Sequence, residues 1–198
     1  ASGLARVIAD AHFATSGNSA MGAWPMRSAA DTLLRDMKFT PLPETKQEGE
    51  AVAQALSAMG VRTELRTGAQ ATRDAFNFPT APQFLHVATH GFLLTPSIDT
   101  DATQKYRIGV LLPGMLAGLA VTPDSKGRVL MAQDIAGLNL RGTELVVLSA
   151  CDTGNGQVDV GEGLTSLRRA TEEAGARATI TSLWPVPSQV TLQLMADF

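Results

Sequence analysis

Cysteine is almost missing from this chain, since Cys151 is the only one among 198 residues. A lone cysteine cannot form an internal disulfide, which fits a reducing compartment, so we expect a cytoplasmic protein. The formal net charge is only -3, which gives no electrostatic reason to expect nucleic acid or an anionic membrane surface as a partner.

Long apolar runs are missing too. The longest, near Val110, is interrupted by Pro113, Gly114 and Gly118, which excludes a transmembrane helix. The charged start, apolar centre and small-residue cleavage site of a signal peptide are also absent.

Residues that bind metals or nucleotides do not occur in the patterns that such sites need. No cluster of His, Cys, Asp or Glu has metal-ligand spacing. The glycine-rich segment 154–163 lacks both the Walker lysine and the dinucleotide fingerprint. We therefore expect no metal and no cofactor, and we interpret this segment as a mobile loop beside a substrate cleft.

What is present suits one globular domain, with 44% hydrophobic and 18% charged residues. The chain starts at Ala1 without a methionine and finishes at Phe198 within a helical pattern. We therefore expect a single domain over 1–198 that is part of a longer polypeptide.

Strand-like and helical patterns alternate along the chain, which predicts an α/β fold. Proline, glycine and aspartate punctuate residues 93–128, where we expect a loop and hairpin excursion. In the helix expected over 44–59, Val52, Leu56 and Met59 share one face. The other expected elements are strands at 6–9, 61–65 and 178–184, two strands that end at His90 and Cys151, and helices near Ala30, at 72–76, 131–136 and 164–174, and from Ser188 onward.

The two strands that end at His90 and Cys151 stop at residues able to do chemistry. Residues 84–91 read FLHVATHG and residues 145–152 read LVVLSACD. A nearby imidazole can convert a thiol into a nucleophile, and parallel sheets gather reactive groups at the carboxyl ends of their strands. The two strand ends therefore predict the Cys-His dyad of a cysteine hydrolase.

A series of motifs, in order along nearly the whole chain, resembles the CHAT domain. That family is a caspase-like domain often found behind tetratricopeptide repeats, and it is related to caspases, separases and gingipains. The segments that carry the resemblance are 41–50 (PLPETKQEGE), 89–91 (THG), 130–135 (LMAQDI), 148–154 (LSACDTG), 161–163 (GEG), 167–170 (LRRA), 174–177 (AGAR) and 182–186 (SLWPV).

The resemblance implies a caspase-like three-layer sandwich, a mostly parallel sheet between helices, whose C-terminal part is missing here. It implies that His90 is the catalytic base and Cys151 the nucleophile. The backbone N–H groups of Gly91 and Cys151 would form the oxyanion hole, where glycine leaves room for the substrate carbonyl. It also implies tetratricopeptide-type regulatory repeats, fused or as partners, and we expect a bacterial protein.

Three residues are candidates for substrate binding. Family members usually carry an acidic residue after the Trp-Pro-Val segment, but this chain has Ser188 shortly after it. A neutral Ser188 cannot pair with arginine, so we expect small or uncharged P1 residues, and Asp152 is the remaining candidate acid. Trp184 is placed at the rim of the cleft, either in the core or as a substrate wall.

The leading hypothesis is a cysteine endopeptidase that cleaves protein or peptide substrates through a thioester intermediate. The alternative is a catalytically silent caspase-like scaffold, and a third option is an amidase acting on small amides. Among the other candidates, His86 is interpreted as a hydrogen-bonded structural histidine and His12 as solvent-facing. Arg168 and Arg169 are expected on a solvated helix face, where one pairs with a glutamate of the next turn, Glu172 or Glu173.

Overall fold

Within the residues that the structure describes, the central sheet has five parallel strands, in the order 62–68, 4–11, 84–88, 145–149 and 179–181. The computed structural model describes residues 3–13, 34, 37–93, 117–150, 160–181 and 188–197. The predicted helix near Ala30 lies outside these residues. The strands of the sheet are β1 (Leu4–Ala11), β2 (Arg62–Gly68), β3 (Phe84–Ala88), β7 (Leu145–Ser149) and β8 (Thr179–Thr181).

Helices cover both faces of this sheet. Successive side chains of a strand point to opposite faces, and on β1 Val7 and Ala9 meet α1 (Pro43–Ala58), whereas Ile8 joins the core on the other side. That core also contains Leu167 of α3 (Val160–Glu173) and Ile135 of α2 (Ala132–Ala136). A last helix, α4 (Ser188–Asp197), packs on α1. The predicted α/β fold with a mostly parallel, caspase-like sheet is confirmed.

The prediction for the face of α1 is partly wrong. The buried residues of this helix are Thr45, Glu48 and Gly49, while Met59 is 76% exposed. Met59 follows the last residue of the helix, so its side chain lies past the part that rests on the sheet. Val52 and Leu56 are half-buried. Polar and small residues, rather than large apolar ones, hold the first half of α1 against the strands.

A second, antiparallel sheet lies across the carboxyl ends of the central strands. It consists of β4 (Gly91–Leu93), β5 (Ala117–Asp124) and β6 (Gly127–Met131). The Thr122 hydroxyl donates to the Gly68 carbonyl at 2.7 Å and accepts from the His12 amide at 2.8 Å, which joins β5 to the ends of β1 and β2. Of the excursion predicted for 93–128, residues 94–116 lie outside the described part of the chain.

Other predicted bounds differ at the ends of elements. The last central strand is β8, Thr179–Thr181, which starts one residue after the predicted 178, and the predicted end at 184 lies outside the described residues. Helix α3 begins at Val160, before the predicted start at residue 164. Its exposed face carries two ion pairs, Arg168 with Glu172 and Arg169 with Glu173, each between residues one turn apart, where the sequence predicts only one pair.

Candidate active site

The strand ends named from the sequence lie side by side in the sheet. Ala88 of β3 is opposite Ser149 of β7, and the Thr89 amide donates to the Ser149 carbonyl at 3.1 Å. The segment that carries His90 is therefore fixed beside Ala150, the residue directly before Cys151. Cys151 itself lies outside the described residues, so its predicted role as nucleophile stays a prediction.

The three candidate substrate-binding residues cannot be placed in the same way. Asp152 and Trp184 lie outside the described residues. Ser188 is the first residue of α4. Their roles likewise stay predictions.

The backbone carbonyl of Thr40 holds the His90 side chain at Nε2. This side chain is buried, and Nε2 lies 2.6 Å from the carbonyl oxygen of Thr40. Because a carbonyl oxygen can only accept, Nε2 carries the hydrogen. In the neutral ring the lone pair is then on Nδ1. This arrangement leaves Nδ1 as the nitrogen that can accept a proton.

Aromatic rings enclose the His90 imidazole. The Phe13 ring centroid is 5.1 Å from that of His90, and the Phe39 ring stacks on it at 5.7 Å. Burial lowers the pKa of His90 below its ordinary value of 6.5, although the hydrogen bond to the Thr40 carbonyl opposes this shift. The neutral ring, which is the form that acts as a base, is therefore favoured.

The Thr40 carbonyl is itself anchored by contacts at the start of α1. The Thr45 hydroxyl donates to the Leu42 carbonyl at 2.7 Å and accepts from the Asp10 amide at 3.2 Å. Asp10 has a φ of 54°, in the left-handed region, where the chain leaves the regular register of β1. Sequence reasoning missed Thr40 because it contributes through its main chain, which has no residue signature.

Gly91 lies where a side chain would not fit comfortably. A Cβ at this position would be 3.1 Å from the Ala150 carbonyl oxygen and 3.4 Å from the Ala150 Cβ. Glycine therefore allows the segment after His90 to approach the end of β7 closely. The predicted oxyanion role of the Gly91 amide is compatible with this position and stays a prediction.

The other two histidines have different surroundings. His86 Nε2 lies 2.9 Å from Oε1 of Glu48, and both side chains are almost completely buried. His12 is largely exposed, with Nε2 3.9 Å from a carboxylate oxygen of Asp10. His86 is thus hydrogen-bonded inside the protein and His12 faces solvent, in line with the sequence interpretation.

Within the described ranges, no three His, Cys, Asp or Glu side chains are grouped as a metal site. In that same part of the chain, no helix has the length and apolar character needed to cross a membrane.

Comparison with known proteins places this fold in a family. The profile of the CHAT domain matches residues 2–198. The human protein "Tetratricopeptide repeat protein 28" is 29% identical in an alignment of 166 positions that covers 74% of this chain. That stretch is only 6% of the human protein, so the chain corresponds to a small part of this relative.

Proposed function

We propose that this chain, which belongs to the CHAT-domain family, is a cysteine endopeptidase in which His90 and Cys151 form the catalytic dyad. The family places it with the caspase-like peptidases, and the finer claim of activity depends on one observation. His90 is a buried imidazole whose Nε2 hydrogen is held by the Thr40 carbonyl, beside the strand end that leads to Cys151.

The proposed reaction uses Nδ1 of His90 for each proton transfer. Nδ1 takes the proton of the Cys151 thiol, and the thiolate sulfur attacks the carbonyl carbon of the scissile peptide bond. The protonated ring then gives that proton to the nitrogen of the leaving amine as the C–N bond breaks, which leaves a thioester. Water attacks the thioester while Nδ1 accepts its proton, and the sulfur leaves with that proton as the thiol is restored. The Gly91 and Cys151 amides would donate to the oxyanion.

The surroundings of His90 suit this cycle. A base must be neutral to take the thiol proton, and burial favours the neutral ring. It must also keep one orientation through both transfers, which the Thr40 carbonyl and the Phe13 and Phe39 rings provide. General base catalysis contributes roughly 10² to 10⁴ in rate, so this imidazole is the decisive group.

The substrate is proposed to be an extended segment of a protein, with a small or uncharged P1 residue. Asp152, Trp184 and Ser188 are the residues we propose to line the substrate subsites. Regulation by tetratricopeptide repeats, fused or as partners, is proposed on the strength of the human relative, which is named for them. A cytoplasmic location also remains part of this proposal.

Cleavage of a random-sequence peptide library, read by mass spectrometry, tests both activity and P1 preference. We expect cleavage by the native protein and none by the Cys151→Ala or His90→Ala variants. His12→Ala is the matched control, because His12 is an exposed imidazole at the same edge of the sheet. Full activity of Cys151→Ala would disprove the proposal.

A second candidate function is a silent scaffold that works through its caspase-like surface. It is favoured by the human relative, whose name describes a protein with tetratricopeptide repeats. An electrophilic peptide probe separates the two functions. A peptidase should be labelled at Cys151 much faster than free cysteine, whereas a scaffold should be labelled no faster.

A further inference from the structure

The first half of α1 contacts the sheet through Thr45, Glu48 and Gly49, none of which has a large apolar side chain. Thr45 accepts from the amide of Asp10, Glu48 meets His86, and Gly49 lies against β1. A Cβ at Gly49 would be only 2.6 Å from the Cβ of Ala9, so the helix axis lies unusually close to the strand. In this part of the helix, polar contacts determine where it sits.

The pair between Glu48 and His86 joins two polar side chains that are almost completely buried. The side chains are 3% and 5% exposed, and Oε1 to Nε2 is 2.9 Å. A buried carboxylate without a hydrogen-bond donor is costly, so the two groups hold one another in place. The proposed mechanism assigns no role to this pair.

The pair joins the same two segments that the catalytic hydrogen bond joins. His86 and His90 lie on one segment, four residues apart, while Glu48 and Thr40 lie on the other, at the start of α1 and just before it. Each segment thus contributes one partner to each bond, and both histidines use Nε2. If the Glu48 bond is lost, the start of α1 can shift on the sheet and carry the Thr40 carbonyl with it.

We propose that Glu48 and His86 are positioning residues for the catalytic base. Their bond fixes the start of α1 so that the Thr40 carbonyl keeps the Nε2–H form of His90, with Nδ1 available as the base. The catalytic consequence rests on the proposed peptidase function, but the effect on the His90 ring does not.

Glu48→Leu tests this role because leucine fills the space without accepting a hydrogen bond. Imidazole ¹⁵N spectra report which ring nitrogen of His90 carries hydrogen, and peptide cleavage reports kcat and KM. We expect Glu48→Leu to give a mixture of Nε2–H and Nδ1–H forms, with kcat reduced about tenfold and KM within about twofold, since misplacement of a catalytic group lowers the chemical step. Glu48→Gln keeps an oxygen acceptor and should preserve the native spectrum and kcat.

Glu50→Ala is the matched control, because it removes an exposed carboxylate two residues away on the same helix. If Glu48→Leu does not fold, the double variant Glu48→Leu/His86→Leu is read in its place, because it leaves neither polar partner buried alone. A folded variant that keeps the pure Nε2–H form and the native kcat would overturn the positioning role. If the native protein cleaves nothing, the peptidase proposal fails, while the ring spectra still decide the positioning role.

Discussion

His86 and His90 are two buried imidazoles on one segment of chain, and their surroundings differ in the acceptor at Nε2 and in the aromatic rings beside them. Nε2 of His86 meets a carboxylate, that of Glu48, at 2.9 Å. Nε2 of His90 meets a carbonyl, that of Thr40, at 2.6 Å, and the rings of Phe13 and Phe39 pack against the imidazole. An ionised carboxylate can form an ion pair with a protonated ring, whereas a carbonyl offers only a hydrogen bond.

This difference indicates how one segment of chain can contain both a structural histidine, His86, and a proposed catalytic histidine, His90. A ring held by a carboxylate suits a permanent link between helix and sheet. A ring held by a neutral acceptor among apolar rings stays oriented, while burial lowers the pKa of His90 and favours the neutral form that acts as a base. The sequence separates the two by position, because His86 lies inside β3, whereas His90 comes after the end of the strand and directly before a glycine.

Of the variants that compare the two histidines, His90→Ala should have the largest effect on activity. His90→Ala should lower kcat/KM by roughly 10² to 10⁴, because the base that activates the thiol is lost. Peptide cleavage under conditions where the variant is folded measures this, with far-ultraviolet circular dichroism as the check. An activity loss of less than about tenfold would mean that His90, like His86, has no catalytic role.

Replacing His86 should act on stability first. His86→Leu removes the ring that contacts Glu48 and leaves a buried carboxylate, which costs about 3 kcal/mol in the free energy of unfolding. Urea denaturation measures the change, and His12→Leu serves as the exposed control. A cost below about 1 kcal/mol would show that Glu48 has an equally good alternative partner and that the two histidines differ less than proposed.

We expect Gly91, the residue after the proposed catalytic histidine, to tolerate few substitutions. Gly91→Ala places a Cβ 3.1 Å from the Ala150 carbonyl oxygen, so the segment that follows His90 must shift. Moving an oxyanion donor should lower kcat about tenfold, with a smaller effect on KM. Gly137→Ala is the control, because Gly137 has ordinary right-handed backbone angles and a Cβ there would make only van der Waals contact. Equal kcat for the two alanine variants would argue against a role for the Gly91 amide.

The smallest expected effect is a shift in pH dependence. Burial lowers the pKa of His90 below 6.5, so the acid limb of the kcat/KM profile should lie below that value. Phe39→Ala removes the stacked ring and admits water, which should raise the pKa and move the acid limb up by about one pH unit or less. An unchanged acid limb would show that the aromatic cage does not determine the protonation of His90.

The lowered pKa of His90 should also make the free energy of unfolding depend on pH. Because the pKa of His90 is lower in the folded chain than in the unfolded chain, the unfolded chain binds more protons as pH falls through 6.5. The free energy of unfolding should therefore decrease between pH 6.5 and the folded pKa. His90→Gln, which does not titrate there, should weaken this decrease.

Much of the fold could be predicted because its signals are local. Short apolar runs such as 145–149 gave the parallel strands, and the register between Ala88 and Ser149 places the His90 segment at the expected edge. The face of α1 could not be predicted from Leu56 or Met59, because Glu48 is buried only through a partner 38 residues away. Hydrophobic spacing contains no information about such a pair.

The candidate site also contains one residue that the sequence could predict and one that it could not. His90 was predictable because an imidazole before glycine at a strand end is a recognisable pattern. Thr40 was not, because a main-chain acceptor can belong to any residue type, and its role depends on how α1 is anchored by Thr45.

The pairing of β3 with β7 has a consequence for insertions and deletions. Residues in a strand advance by about 3.3 Å each, and neighbours alternate between the two faces of the sheet. Adding or removing one residue within 145–149 would thus shift the end of β7 relative to the His90 segment by one such step. We expect length changes in the connections between strands to be tolerated far better than a change of one residue inside β7. The hydrogen bonds between β3 and β7 determine the spacing of the strand ends that lead to His90 and Cys151.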